Sequence, residues 1–171
     1  LLTRSMQKTG ETNKVVILVA TSGDTGKAAL EGFADVPGTQ IIVFYPSEGV
    51  SDIQKQQMIT QAGKNVKVFG IEGNFDDAQR GVKEIFGNTA LSDELEKKGY
   101  TFSSANSINW GRLVPQIVYY FSAYVDAVKA GKIAAGDPIN FVVPTGNFGD
   151  ILAGYYAKMM GLPIDRPVSY T

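Results

Sequence analysis

Residues 15–20 read VVILVA and run directly into TSGDTG at residues 21–26. Six consecutive apolar residues, most of them β-branched, predict a strand buried on both faces, as in a parallel sheet. The small polar residues that follow predict a tight turn into a helix. The first N–H groups of that helix would then lie at the carboxyl edge of the sheet, where they can bind an anion without a cationic side chain.

A second segment repeats this order of elements. Residues 141–144, FVVP, run into TGNFGD at residues 145–150. Gly146 and Gly149 flank two residues at the junction, and glycines there allow the backbone to wrap closely around a phosphate-sized ion. One such loop is a weak signal, but two of them favour a site for a ligand that carries two anionic groups.

Each loop also has a purely structural interpretation. A helix that follows a strand commonly begins with a side-chain cap, so Asp24 or Ser22 would cap the first helix and Asp150 the second. Lys27 would then be solvated. A nucleotide-binding interpretation fails, because the chain has neither a complete phosphate-loop motif around Lys27 nor a G-x-G-x-x-G sequence.

Strands and helices alternate along the whole chain. Apolar runs predict strands at residues 15–20, 40–45, 66–69, 100–103 and 139–143, and helical patterns predict helices at residues 1–8, 25–33, 51–61, 76–86, 92–98, 109–130 and 150–160. The longest helix should turn Leu113, Ile117, Phe121, Tyr124 and Val128 to the core. This order predicts an α/β fold with a three-layer parallel sheet. Residues 166–171, RPVSYT, do not resemble the apolar strand expected next.

Composition narrows the class of function. With 44% hydrophobic residues and a net charge of −1, the 171-residue chain is typical of a soluble globular protein and offers no electrostatic footprint for nucleic acid or a membrane surface. It has no cysteine, which fits a reducing cytoplasm. It also has no histidine, so we expect no metal site and no Ser-His or Cys-His catalysis. Chemistry would depend on lysine, carboxylates, backbone dipoles or a cofactor.

A third polar cluster occupies residues 104–112, SANSINWGR. Arg112 lies one turn inside a helix that begins among Asn and Ser side chains, so these groups could share one anion. The alternative is a capped helix whose Arg112 faces solvent. Residues 73–77, GNFDD, are more typical of a helix start in which Asp76 or Asp77 complements the helix dipole.

Four segments in this order resemble threonine synthase, a fold-type II enzyme dependent on pyridoxal 5'-phosphate (PLP). They are ATSGDTG at 20–26, EGNFDDAQ at 72–79, SANSIN at 104–109 with Arg112, and PTGNFGD at 144–150. The middle two distinguish threonine synthases from the related dehydratases. Because the four segments span nearly the whole chain, the resemblance is fairly specific.

The resemblance implies a site for two phosphates. The cofactor would be held by Asp24, Gly146, Asn147, Phe148, Gly149 and Asp150, with Asp24 at its 3-hydroxyl group. The substrate would be held by Ser22, Gly23, Thr25, Asn106, Ser107 and Arg112, with Asn147 also near its phosphate. The implied reaction converts O-phospho-L-homoserine and water to L-threonine and phosphate.

The chain also departs from the family pattern. The Phe-Lys-Asp type motif that carries the Schiff-base lysine does not occur in it. We therefore expect an interior fragment that is inactive alone, with a smaller substrate-side domain at residues 1–108 and part of the larger cofactor-binding domain at residues 109–171. Two alternatives remain: a fragment of a fold-type II dehydratase, and a non-catalytic α/β module that binds a small phosphorylated metabolite.

Overall fold

The computed structural model describes residues 2–106, 109–144 and 148–170. The chain divides into two compact units, residues 1–106 and 107–171. The assignment of substrate and cofactor to separate domains at residues 1–108 and 109–171 stays a prediction.

The first unit contains α1 (Leu2–Thr9), β1 (Lys14–Ala20), α2 (Asp24–Phe33), β2 (Thr39–Pro46), α3 (Asp52–Ile59), β3 (Val66–Ile71), α4 (Phe75–Gly87), α5 (Thr89–Lys97) and β4 (Tyr100–Ser104). The second contains α6 (Trp110–Lys129), β5 (Ile139–Pro144), α7 (Gly149–Met159) and β6 (Ile164–Tyr170). None of the helices in the described ranges is long and apolar enough to cross a membrane.

The four strands of the first unit form one parallel sheet in the order β3-β2-β1-β4. The apolar run at the start of β1 is buried throughout, which confirms that this strand is central. Its alternate side chains face two separate cores. Val15, Ile17 and Val19 pack with α2 and α3, whereas Val16 and Leu18 pack with α4. The three-layer α/β prediction is therefore confirmed in this unit.

The second unit packs α6 and α7 with the strand pair β5-β6. Leu113 and Tyr124 are buried, and Ile117, Phe121 and Val128 pack against the same core, which confirms the predicted face of α6. Gly154 allows the two helices to approach closely, because a Cβ there would lie 2.7 Å from the Tyr120 ring. Trp110 contacts Tyr156, whereas Tyr120 hydrogen-bonds the carbonyl of Asp150, so α6 and α7 run antiparallel.

The interpretation of the final segment as unlike a strand was wrong. β6 pairs with β5 in parallel, with a register shift between Ile139 and Phe141. Near this shift the N–H of Arg166 donates to the Asn140 side chain at 2.9 Å, and Pro167 has no N–H to pair. Ile164 is buried in the core, but residues 165–168 are exposed, so backbone pairing rather than a run of buried apolar side chains forms most of this strand.

Candidate functional site

The loop after β1 is held between the ends of its two neighbouring strands. On the β2 side, the N–H of Thr21 donates to the carbonyl of Phe44 at 3.0 Å. On the β4 side, the Asn106 side chain bonds both backbone polar groups of Ala20. The loop therefore leaves the carboxyl edge of the sheet in one defined direction, as the sequence predicted for the start of α2.

The side chain that organises the start of α2 is Thr21, not Asp24 or Ser22, so the predicted caps were wrong. Gly23 occupies the N-cap and offers no side chain. The hydroxyl of Thr21, which is buried, accepts from the N–H of Gly26 at 3.0 Å and of Gly23 at 3.2 Å. Because this acceptor comes from the end of the strand, it was not found by searching the usual cap positions.

The remaining polar groups of this loop are accessible. Ser22 and Asp24 are exposed, and Gly23 and Thr25 are half-buried. Gln54 on α3, a contact that the sequence did not indicate, donates to the Asp24 carboxylate at 2.8 Å. The loop thus presents one acidic and two hydroxyl side chains beside the first turn of α2.

Lys27 does not fit the description of a solvated side chain. Its ammonium group lies 2.8 Å from the Glu31 carboxylate and also contacts Gln61. The hydrogen bond from Lys27, followed by its charge, lowers the pKa of Glu31. The ammonium group of Lys27 is therefore paired with Glu31 of the same helix and with Gln61.

Within the described ranges, no side chain caps the start of α7. Phe148 occupies the N-cap, and Asp150, expected to be the cap, lies in the first turn instead. The Oδ1 atom of Asp150 is buried and accepts no hydrogen bond from the described part of the chain. A cavity of about 200 Å³ lies beside it, with Tyr120 and Phe141 in its wall. The Asp150 carboxylate therefore does not occupy the cap position of α7, where an external anion could bind.

Tyr120 on α6 is hydrogen-bonded to the first turn of α7. Its hydroxyl donates to the Asp150 carbonyl at 2.8 Å. Burial of the ring, followed by the negative charge of Asp150 and the hydrogen bond, raises the pKa of Tyr120 to about 12. The protonated phenol therefore belongs to the folded state over the whole physiological range.

This shift predicts a loss of stability in alkali. Because the folded-state pKa is the higher one, the stabilisation by neutral Tyr120 is complete below about pH 10, the ordinary value, and is lost as the pH rises to about 12. We expect ultraviolet difference titration to show one late tyrosinate step that Tyr120→Phe removes and Tyr119→Phe, at the exposed neighbour, does not. Loss of the late step in Tyr119→Phe instead would refute the assignment.

Arg112 lies in the exposed first turn of α6. Asn109 caps this helix, accepting from the N–H of Gly111 at 2.8 Å. Tyr120 contacts the start of α7, and Arg112 lies eight residues before Tyr120 on α6. At a rise of 1.5 Å per residue, Arg112 and this contact are about 12 Å apart along the axis of α6. Arg112 and the start of α7 can therefore serve two separate anions.

Three predicted site residues, Ser107, Gly146 and Asn147, lie outside the described residues. The two loops follow strands of different sheets, β1 in the first unit and β5 in the second, so they do not lie at the edge of one sheet. Among the described residues, the predicted site residues lie in the β1–α2 loop and at Asn106 in the first unit, and at the starts of α6 and α7 in the second.

Comparison with known proteins identifies the relatives of the chain, although it matches no model of a known protein family. It is 50% identical over 157 residues to human threonine synthase-like 1, covering 88% of this chain and 21% of that protein. It is 46% identical to the threonine synthase of Pseudomonas aeruginosa over all 171 residues, which is 34% of that protein. A crystal structure described as PLP-bound threonine synthase from Brucella melitensis matches 98% of this chain and 34% of its own, with a TM-score of 0.74 and 45% identity.

These matches agree with the architecture and the motifs. The parallel α/β fold is that of fold-type II PLP enzymes, as expected from the resemblance. Within that class, the chain is homologous to a segment of threonine synthase, so the family inferred from the four motifs is confirmed. The chain spans about a fifth to a third of the length of the curated relatives described above.

Proposed function

We propose that the chain supplies the anion-binding part of a threonine synthase, which converts O-phospho-L-homoserine and water to L-threonine and phosphate with PLP. One observation carries this proposal. The helices α3, α4, α5 and α6 are each capped by a side chain, of Ser51, Asn74, Asn88 and Asn109 respectively. The N-caps of α2 and α7 provide none, and these helices follow the two loops that the sequence marks as anion sites.

The residues at the start of α7 fit the phosphate of PLP. Gly149, in the first turn, is buried and carries no side chain that could stand between the backbone and a phosphate. Asp150 does not take the place of an anion at the N-cap. We therefore assign the cofactor phosphate to the backbone of residues 146–150 and the cofactor 3-hydroxyl group to Asp24. When bound, PLP supplies an electron sink for negative charge on the substrate carbon atoms.

The substrate would be held by the other two elements. Ser22, Gly23 and Thr25 lie at the start of α2, where Thr21 takes the N–H of Gly26 and the other first-turn N–H groups, with the two hydroxyls, suit a carboxylate. Arg112, with Ser107, would bind the substrate phosphate, because a guanidinium group can donate two parallel hydrogen bonds to it. These groups bind and orient the substrate. Arg112 would also stabilise the charge that grows on the phosphate as it leaves.

The direct test is the reaction of the full-length protein. With PLP and O-phospho-L-homoserine, we expect equimolar release of L-threonine and inorganic phosphate. The dehydratase alternative predicts instead a 2-oxo acid from threonine or serine, without a need for substrate phosphate. Binding of phosphorylated metabolites with no turnover by the full-length protein would support the non-catalytic alternative. From the composition, we propose the cytoplasm as the location.

A further inference from the structure

We propose that Asn106 is a positioning residue, which holds the β1–α2 loop in its anion-binding form through Ala20 rather than binding substrate itself. The inference deepens the proposed function, on which it rests only for the identity of the ligand. It revises the role that the resemblance implies for Asn106, and it starts from two hydrogen bonds within the first unit.

The side-chain amide of Asn106 takes the place of backbone hydrogen-bonding groups of a neighbouring strand. Its Nδ2 donates to the Ala20 carbonyl at 2.8 Å, and its Oδ1 accepts from the Ala20 N–H at 3.0 Å. The β1–β4 ladder ends with Leu18 opposite Ser104, and two further residues in the same register would place Asn106 opposite Ala20. The side chain thus makes the backbone pairing that the strand would make if it continued.

A serine hydroxyl turns the chain away from the ladder at this point. The N–H of Asn106 donates to Ser104 Oγ at 3.0 Å, a bond between residues two positions apart in the bend that follows β4. Ser104 and Ala105 are buried, which fixes the position from which the amide reaches across. We call the Asn106 side chain and its two hydrogen bonds to Ala20 the Asn106 clasp. It is built from the end of β4, a local turn and one amide side chain.

The clasp connects directly to the helix start. Ala20 precedes Thr21, whose N–H is held by Phe44 and whose hydroxyl accepts from the N–H of Gly26. Asn106 on one side and Phe44 on the other therefore fix the residue pair from which the cap of α2 projects. Rotation of the Asn106 amide toward a ligand would break both bonds to Ala20 and release one side of the loop.

The test is backbone amide hydrogen exchange in the ligand-free, full-length protein. In Asn106→Ala, we expect exchange at Ala20 and Gly26 to accelerate by about tenfold or more, because two hydrogen bonds that hold the loop are lost. Asn88→Ala is the matched control: Asn88 also bonds backbone, as the cap of α5 in the same unit. Asn88→Ala should leave amide hydrogen exchange at Ala20 and Gly26 unchanged.

Asn106→Asp adds a signature that loss of a ligand contact cannot produce. Ionised, the carboxylate accepts from the Ala20 N–H but repels the Ala20 carbonyl. Protonated, it can both accept and donate, as the amide does. The pKa of this carboxyl group is therefore raised in the folded state, and its stabilisation is complete below the ordinary aspartate pKa and lost as the pH rises through the raised value. We expect intrinsic-rate-corrected protection at Ala20 to return as the pH falls.

The outcomes separate this inference from the proposed function. Faster loop exchange in Asn106→Ala with pH-dependent recovery in Asn106→Asp supports the positioning role, even if the protein does not turn over O-phospho-L-homoserine. Unchanged ligand-free exchange in both variants would overturn it. If turnover is found and only the KM for O-phospho-L-homoserine rises in these variants, Asn106 is a direct ligand.

Discussion

Replacing Gly26 with alanine is expected to destabilise the first unit by about 2–3 kcal/mol, in the upper part of the range for overpacked cores. A Cβ at this position would overlap Thr21 Cγ2 and lie 2.7 Å from Met58 Sδ. Met58 is flexible, but Thr21 is buried and its hydroxyl is engaged by two N–H groups. The added methyl group must therefore displace the side chain that organises the start of α2.

The same helix offers a matched control. A Cβ at Gly32 meets no atom within 4 Å, so Gly32→Ala should stabilise the protein by about 0.5–1 kcal/mol through helix propensity alone. Urea unfolding followed by circular dichroism measures both variants. Equal effects of the two substitutions would show that Gly26 is not a packing requirement.

Arg112→Ala is the second change with a large expected effect, here on catalysis by the full-length protein. Loss of a charge-assisted bond to the substrate phosphate costs about 1.5–3 kcal/mol, so kcat/KM for O-phospho-L-homoserine should fall by about tenfold to 150-fold. If the bond strengthens as phosphate leaves, kcat falls as well as KM rising. Arg112→Lys should recover part of the loss, because it keeps the charge but not the paired donors.

Arg80→Ala is the control for a general effect of removing an arginine. Arg80 is exposed on α4, pairs with Asp77 of its own helix and is not among the predicted site residues. Its kinetics should match those of the unmodified protein. If Arg112→Ala also matches, Arg112 is a solvent-facing helix residue, and the argument for a substrate phosphate at this position fails.

The strands were predictable because their signal is local. The apolar run of β1 is buried on both faces, as six adjacent apolar residues require. Helix starts were also accessible where the cap is close in sequence: Ser51 caps α3, whose start was predicted at residue 51, and Asn74 with Asp77 forms a capping box at the start of α4. Short-range backbone chemistry therefore carries much of the fold.

The remaining features depend on contacts that the local sequence pattern does not indicate. Thr21 caps α2 from the end of a strand, and the Asn106 clasp joins residues 86 positions apart. β6 forms by backbone pairing with few apolar side chains, so hydrophobic pattern could not reveal it. The motifs located the region of the site. Three-dimensional geometry was needed to infer which residues contact the ligand and which support the loop.

The central claim is that two separate phosphates are bound, one at the start of α7 and one at Arg112. Cofactor titration of full-length Gly149→Val and Arg112→Ala tests it most directly, with near-ultraviolet circular dichroism to verify folding. We expect Gly149→Val to weaken PLP binding by about a hundredfold, because its side chain displaces backbone donors worth about 3 kcal/mol together, and Arg112→Ala to bind PLP normally. Normal PLP affinity in folded Gly149→Val, or lost affinity in Arg112→Ala, would contradict it.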